Sequence, residues 1–184
     1  MILAGDIGGT KTVLALLAKQ ADGTLSYIKE QTFASQDFAQ FDQILSSFLS
    51  ADVNVTSACF GIAGPVVNQR CQTTNLPWLI DGEQLKMKLG TQQVKLLNDL
   101  EAMALGMLQL PEQDLLELNP NALSQTGNIA VIAAGTGLGE AILYWDGSKH
   151  LPMATEGGHT DFAAQNPQQV LLLNYLSSRF PEHV

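Results

Sequence analysis

Apolar and polar positions alternate in short blocks along the first hundred residues. An apolar run, Met1 to Ala4, leads into Gly5-Asp6-Ile7-Gly8-Gly9-Thr10-Lys11, and a second, Val13 to Ala18, leads out. This pattern predicts a strand, a glycine-rich turn and a strand. Asp22-Gly23 marks the next turn, and Tyr27 to Phe33 makes a third strand. Phe38, Phe41, Leu45, Phe48 and Leu49 recur at helical spacing, which predicts a helix with one apolar face. Thr56 to Ala63 is a dense apolar strand ending in Gly61-Ile62-Ala63-Gly64-Pro65, a forced turn. Val66 to Cys71 reads as a short edge strand, followed by a loop, Thr73 to Trp78. Asp81 is a good N-cap for a short helix completed by Leu85 to Leu89. Val94 to Leu97 is a strand, and a helix from Leu100 to Leu110 follows at once.

The opening pattern recurs. Ile129 to Trp145 again carries an apolar strand into a turn of glycines and one threonine, Gly135-Thr136-Gly137, and an apolar strand out of it. Leu151 to Ala154 continues as a third strand, and Gln168 to Phe180 as a helix. A repeated unit of this kind predicts two related lobes, each offering a glycine turn to one cleft. Between them, Pro111 to Asn128 reads as a connection with one short strand, Leu115 to Leu118. The lobes are therefore assigned to residues 1–110 and 111–184. The second copy ends after one helix, where the first adds strand, helix, strand and helix. A half-sheet exposes apolar faces and an open edge. We expect its remainder to come from a longer chain or from another chain, a homodimer being one form of the latter.

Composition narrows the function classes. The apolar fraction of 46% in 184 residues is that of an ordinary globular protein. A net charge of −9 and the lack of a basic run argue against nucleic-acid binding. No apolar run is long enough to span a bilayer, and no signal peptide is evident, so the expectation is a cytoplasmic protein without membrane contact. Cys59 and Cys71 match no metal spacing and are read as reduced thiols.

Four stretches can carry chemistry. Successive N–H groups of the first glycine turn form an anion-binding concavity, Lys11 adds a point charge, and Asp6 is placed to hold Mg²⁺ through water. The same residues also fit a plain hairpin turn. They match neither G-x-x-x-x-G-K-[ST] nor the dinucleotide fingerprint, because a strand follows where a helix should. Asn98-Asp99 ends a strand; the carboxylate can accept a proton from an attacking hydroxyl, or it can simply cap the next helix. Glu156-Gly157-Gly158-His159 lets a carboxylate and an imidazole converge on a hydroxyl-rich ligand such as a sugar, or makes a surface turn. A zinc site is disfavoured, since His150 and His159 lack a third partner at a familiar spacing. Asn75 and Trp78 fit either a substrate loop or a solvated Asn beside a core Trp. Glu140 is expected to point away from phosphates or to help hold Mg²⁺.

Taken in order, Asp6 to Lys11, Gly61 to Pro65, Thr74-Asn75-Leu76-Pro77-Trp78, Leu97-Asn98-Asp99, Gly135-Thr136-Gly137-Leu138-Gly139 and Glu156 to Ala163 resemble bacterial glucokinases. These belong to the actin-like (ribonuclease H-like) sugar kinase superfamily. The resemblance implies an α/β fold with a complete first lobe and the start of a second. It implies ATP-dependent phosphorylation of the glucose 6-hydroxyl, with ATP and Mg²⁺ as cofactors. Gly8, Gly9, Thr10 and Lys11 would form one phosphate loop and Gly135, Thr136 and Gly137 the other. Asp6 would help place Mg²⁺, and Asp99 would be the catalytic base. Asn98, Asp99, Glu156 and His159 would hold glucose, with Asn75 near the sugar. Family members continue well past Val184 and place the adenosine site there. A non-catalytic sugar-binding or regulatory module is the alternative. An actin-like assembly protein would explain the two phosphate loops but not Glu156 to His159.

Overall fold

The computed structural model describes residues 1–123, 125–135 and 137–181. Its first sheet contains β1 (Ile2–Ile7), β2 (Lys11–Lys19), β3 (Leu25–Ala34), β4 (Ser57–Ile62) and β7 (Val94–Asn98), in the order β3-β2-β1-β4-β7. The first three strands form an antiparallel meander; β4 and β7 add in parallel. The crossovers carry α1 (Phe41–Phe48) and α2 (Gly82–Leu89), with a small ribbon of β5 (Arg70–Gln72) and β6 (Leu79–Asp81) before α2. The helix α3 (Asp99–Met107) leaves β7 directly. A second sheet, β8 (Ile129–Ala134), β9 (Leu138–Trp145) and β10 (His150–Thr155), repeats the antiparallel meander, and α4 (Pro167–Arg179) follows it as α1 follows β3. The repeat read from the sequence is therefore a repeat of topology.

The main core lies between the first sheet and α1. Leu3 and Ile7 of β1, Leu14 of β2, Phe60 and Ile62 of β4, and Phe41, Ile44, Leu45 and Phe48 of α1 are all buried. Burial of each such side chain contributes about 1.5–3 kcal/mol. Gly5, between Leu3 and Ile7, makes room for it: a Cβ there would lie 2.6 Å from the Phe60 ring and 2.8 Å from Leu14. Trp78 is also core, with its indole N–H donating to Phe38 O at 3.1 Å.

Two devices fix the β5–β6 ribbon. Asp81 caps α2 by accepting from the amides of Glu83 and Gln84, and Arg70 pairs with the same carboxylate at 2.6 Å. Burial pushes the Asp81 carboxyl up, but Arg70 and the two amides more than offset it and hold it below the usual carboxylate range. Gln69, held at a left-handed φ of 58°, lays its side-chain amide along the edge of β7. Its Nε2 donates to Leu96 O and its Oε1 accepts from Leu96 N.

The helix α3 is wedged between the two sheets. On one side Gly61 of β4 would place a Cβ 2.9 Å from Ala102 Cβ, so only glycine permits this approach. On the other, Gly139 of β9 meets Leu100. Ala104 of α3, with Val131, Ala141 and Leu143, forms a second, smaller core. The far side of the second sheet is open, with Ile132, Tyr144 and Met153 exposed, and α4 buries none of its residues. No strand forms over Leu115–Leu118: a short 3-10 helix, Glu112–Asp114, precedes exposed leucines there. The run Leu-Leu-Glu-Leu has no strand alternation, and no edge among the described residues pairs with it. No helix among the described residues is long and apolar enough to cross a membrane.

Two measurements check these assignments. Gly61→Ala is expected to destabilise the chain by about 1–3 kcal/mol through overpacking, and adding Ala102→Gly should recover part of that loss in a chemical-denaturation cycle. Asp81→Ala should cost about 2 kcal/mol through the lost cap and ion pair. Because the native carboxyl is held low, its contribution is complete above the unfolded pKa of about 4 and is lost as pH falls through the lower native value. The melting-temperature gap to the unsubstituted chain should therefore narrow in acid.

Candidate functional site

A cleft of about 930 Å³ opens between the two sheets, at the N-terminus of α3. Asp6, Asn98, Asp99, Gly135, Gly137, Glu140, Glu156 and His159 all line it. Residues 90 and more positions apart thus share one wall because α3 holds the second meander against the first sheet.

Asn98 and Asp99 divide their roles differently from the simplest capping expectation. Asn98, not Asp99, is the N-cap of α3: its Oδ1 accepts from Leu100 N at 3.0 Å, and Glu101 returns the bond by accepting from Asn98 N. Its Nδ2 donates to Gly64 O at 3.1 Å. Gly64 has φ +145° and sits over Cys71, so the turn after β4 requires glycine there. Asp99 is left as the first helical residue, half-buried, with one oxygen accepting from Leu100 N at 2.9 Å. Asp6, at the C-terminal part of β1, opens to solvent through the cleft. Desolvation by the surrounding protein, and then the negative charge of Asp99, raise its carboxyl; Lys11 pulls it partly back. Three charges from two strands and a helix are therefore within electrostatic reach of one another.

The second glycine turn is a tight hairpin tip, with Gly135 N donating to Gly137 O at 2.9 Å. Thr136 lies outside the described residues. The turn at 156–159 packs directly on the start of β9: a Cβ at Gly157 would collide with the Glu140 carboxylate, and one at Gly158 with Leu138 O. Glu140 thus points towards that turn rather than away from the cleft, and the two glycines are a steric requirement. Gly157 N also donates to Thr155 Oγ1, which donates in turn to Glu140 O. The result brings Glu156 Oε2 and His159 Nε2 to 3.6 Å, with both side chains more than 80% exposed to the cleft and solvent.

The other expected residues sit to one side. Gly8, Gly9, Thr10 and Lys11 form the β1–β2 hairpin tip, closed by Gly8 N donating to Lys11 O, and are not among the residues lining the cleft. Asn75 is exposed and packs on Gly9, where an added Cβ would lie 2.7 Å from its own. Trp78 belongs to the core and takes no part. The Asn75 loop is closed from beneath by Thr73, whose hydroxyl donates to Leu76 O at 2.8 Å. From that loop it is Thr74 that reaches the cleft, along with Gly64, Pro65 and Met103. Gly64 and Pro65 had a sequence signal in the turn after β4 and Thr74 in the Thr74–Trp78 stretch, while Met103 had none. Among the described residues no three His, Cys, Asp or Glu side chains cluster tightly enough to cage a metal.

The chain matches the family model described as Glucokinase over residues 3–184. It is 41% identical to a glucokinase of Nostoc sp. over 180 residues, which are 96% of this chain and 52% of that protein. It is 39% identical to a glucokinase of Synechocystis sp. over 190 residues, covering 97% and 54% respectively. The chain therefore spans about half the length of the curated relatives it matches. Among solved structures, a glucokinase from an Antarctic psychrotroph superposes with a TM-score of 0.84 at 30% identity, over 100% of this chain and 58% of that one. A glucokinase from Balamuthia mandrillaris, solved in complex with glucose, shares the fold at 22% identity and a TM-score of 0.69, over 99% and 56%. The paired meanders are those of the actin-like sugar kinases, and with the match running through nearly every residue, the chain belongs to the glucokinase family.

Proposed function

We propose that this chain carries the sugar site and both phosphate turns of an ATP-dependent glucokinase, which transfers the γ-phosphoryl group to the 6-hydroxyl of glucose. The observation that carries the proposal is the single cleft shared by Asp99, Glu156, His159 and the second glycine turn. In this reading Asp99 accepts the proton of the attacking hydroxyl. One of its oxygens accepts from Leu100 N, and the other makes no bond to that amide. Glu156 and His159 orient the sugar by taking and giving hydrogen bonds to its hydroxyls, with Asn98 and Asn75 at its margins. Asn98 still has acceptor and donor capacity beyond its cap and its bond to Gly64.

The turns at Gly8–Lys11 and Gly135–Gly137 offer amides to the phosphates, and Lys11 offers a charge. The donor set fits Mg²⁺ held mainly by water and phosphate: Asp6 offers an exposed carboxylate in the cleft wall, and among the described residues no three acidic, His or Cys side chains cage an ion. When bound, the ion neutralises charge on the transferred group. The chain's own contribution is positioning and the exclusion of water between the two lobes, residues 1–110 and 111–184, with α3 as their shared wall.

Formation of glucose 6-phosphate from glucose and Mg-ATP tests the proposal. Asp99→Asn is expected to lower turnover about a hundred to ten thousandfold with glucose binding retained. Glucose binding without turnover by the unsubstituted chain would instead support a sugar-binding module, and absence of both would remove the sugar reading. Asp6→Asn should reduce activity yet raise the melting temperature at neutral pH. The native carboxyl is raised, so the folded state binds its proton more tightly than the unfolded chain and loses stability as pH climbs past the usual carboxylate range. The gain from Asn should thus shrink towards about pH 4.

A further inference from the structure

Ser35 is fully buried at the end of β3, and it reaches across to the glycine turn between β1 and β2. Its hydroxyl donates to Gly8 O at 2.8 Å, and its amide donates to Thr10 O at 3.0 Å. Its Oγ also lies 2.9 Å from Thr12 Oγ1, another fully buried hydroxyl. A serine has one hydroxyl hydrogen, and a carbonyl can only accept. The hydrogen of Ser35 is committed to Gly8 O, so Thr12 is the donor in the pair. The chain of bonds therefore runs one way, from Thr12 to Ser35 to the turn.

These bonds set the direction of the turn's amides. In a planar trans peptide the C=O and the following N–H point in opposite directions, and the described chain has no cis peptide bond. Drawing Gly8 O towards Ser35 turns Gly9 N–H away from it. Drawing Thr10 O to the Ser35 amide does the same for Lys11 N–H. Ser35 thus holds two carbonyls, which repel anions, on one side and sends two amides to the other. An unsecured glycine turn would sample both orientations, because glycine takes either sign of φ at little cost.

We propose that Ser35 is a positioning residue that orients the Gly8–Lys11 turn for polyphosphate. The proposal rests on the reading of that turn as a phosphate loop. Magnesium tripolyphosphate titrated into the isotopically labelled 184-residue chain, read at the Gly9 and Gly135 amides by NMR, tests it. The unsubstituted chain should show shifts at both amides. Ser35→Ala should weaken binding on the order of tenfold and abolish the Gly9 response while the Gly135 response persists. Ser35→Cys keeps most of the volume with a weaker donor and should fall between. Thr12→Val removes a buried hydroxyl that touches neither loop carbonyl; it should lower the melting temperature but leave tripolyphosphate affinity within about twofold. Wild-type affinity in both Ser35 variants, or equal weakening by Thr12→Val and Ser35→Ala, would overturn the proposal. No Gly9 response in the unsubstituted chain would defeat the phosphate-loop reading itself, and this inference with it.

Discussion

The contact on which the site depends is the close seating of α3 between Gly61 and Gly139. A helix packed on a sheet ordinarily stands off by the length of the side chains between them. Here the missing Cβ of Gly61 lets Ala102 approach β4, and the missing Cβ of Gly139 lets Leu100 approach β9. The helix is thereby shared by two sheets rather than owned by one. Its N-terminus then becomes the floor of the cleft, and the side chain that emerges there is Asp99. The proposed role of Asp99 as a base requires its carboxylate to be placed to a fraction of an ångström. Two glycines and a capped helix end do this, and among the described residues no cation pairs with the carboxylate.

Glycine serves three different purposes around this cleft. At Gly64 it supplies a backbone angle that other residues resist. At Gly157 and Gly158 it lets the 156–159 turn sit flat on β9, so that Glu140 and Leu138 support it from below. At Gly8 and Gly9 it supplies a tip soft enough to be set by others, and Ser35 sets it. The density of glycines in the chain is therefore not a sign of looseness. Gly9, Gly64, Gly157 and Gly158 each sit against a specific neighbour, whereas Gly135 and Gly137 face open space.

Much of this was legible in the residues. Periodicity and turn chemistry located β1 to β4, β7 and the second meander, because most of these strands carry an apolar run next to a glycine-bearing or Asn/Asp turn; β3, largely polar, was placed by the Asp22-Gly23 turn before it. Asp81 was readable as a cap because an acidic residue stood before a helical pattern. The split between Asn98 and Asp99 was not readable, since adjacent cap-forming residues compete and only the geometry of β7 decides between them. That Thr74 rather than Asn75 reaches the cleft was hidden for a related reason: which residue of a loop does so depends on Thr73 closing it from beneath. The leucines of 115–118 misled because strand propensity without a pairing edge is not a strand. The role of β6, three residues long, escaped because its signal was no stronger than that of the loop around it.

The Gln69 amide at the rim of the first sheet has a consequence beyond the fold of its own turn. An outermost strand presents a row of unused backbone groups to any other extended chain, and that is how sheets recruit unwanted partners. Gln69 occupies both groups of Leu96, imitating the next strand with a single side chain. The sheet is in effect told that it has already ended, and its strained left-handed backbone is the structural cost of that signal. At Leu96 this rim is closed by a side chain that takes the place of a neighbouring strand.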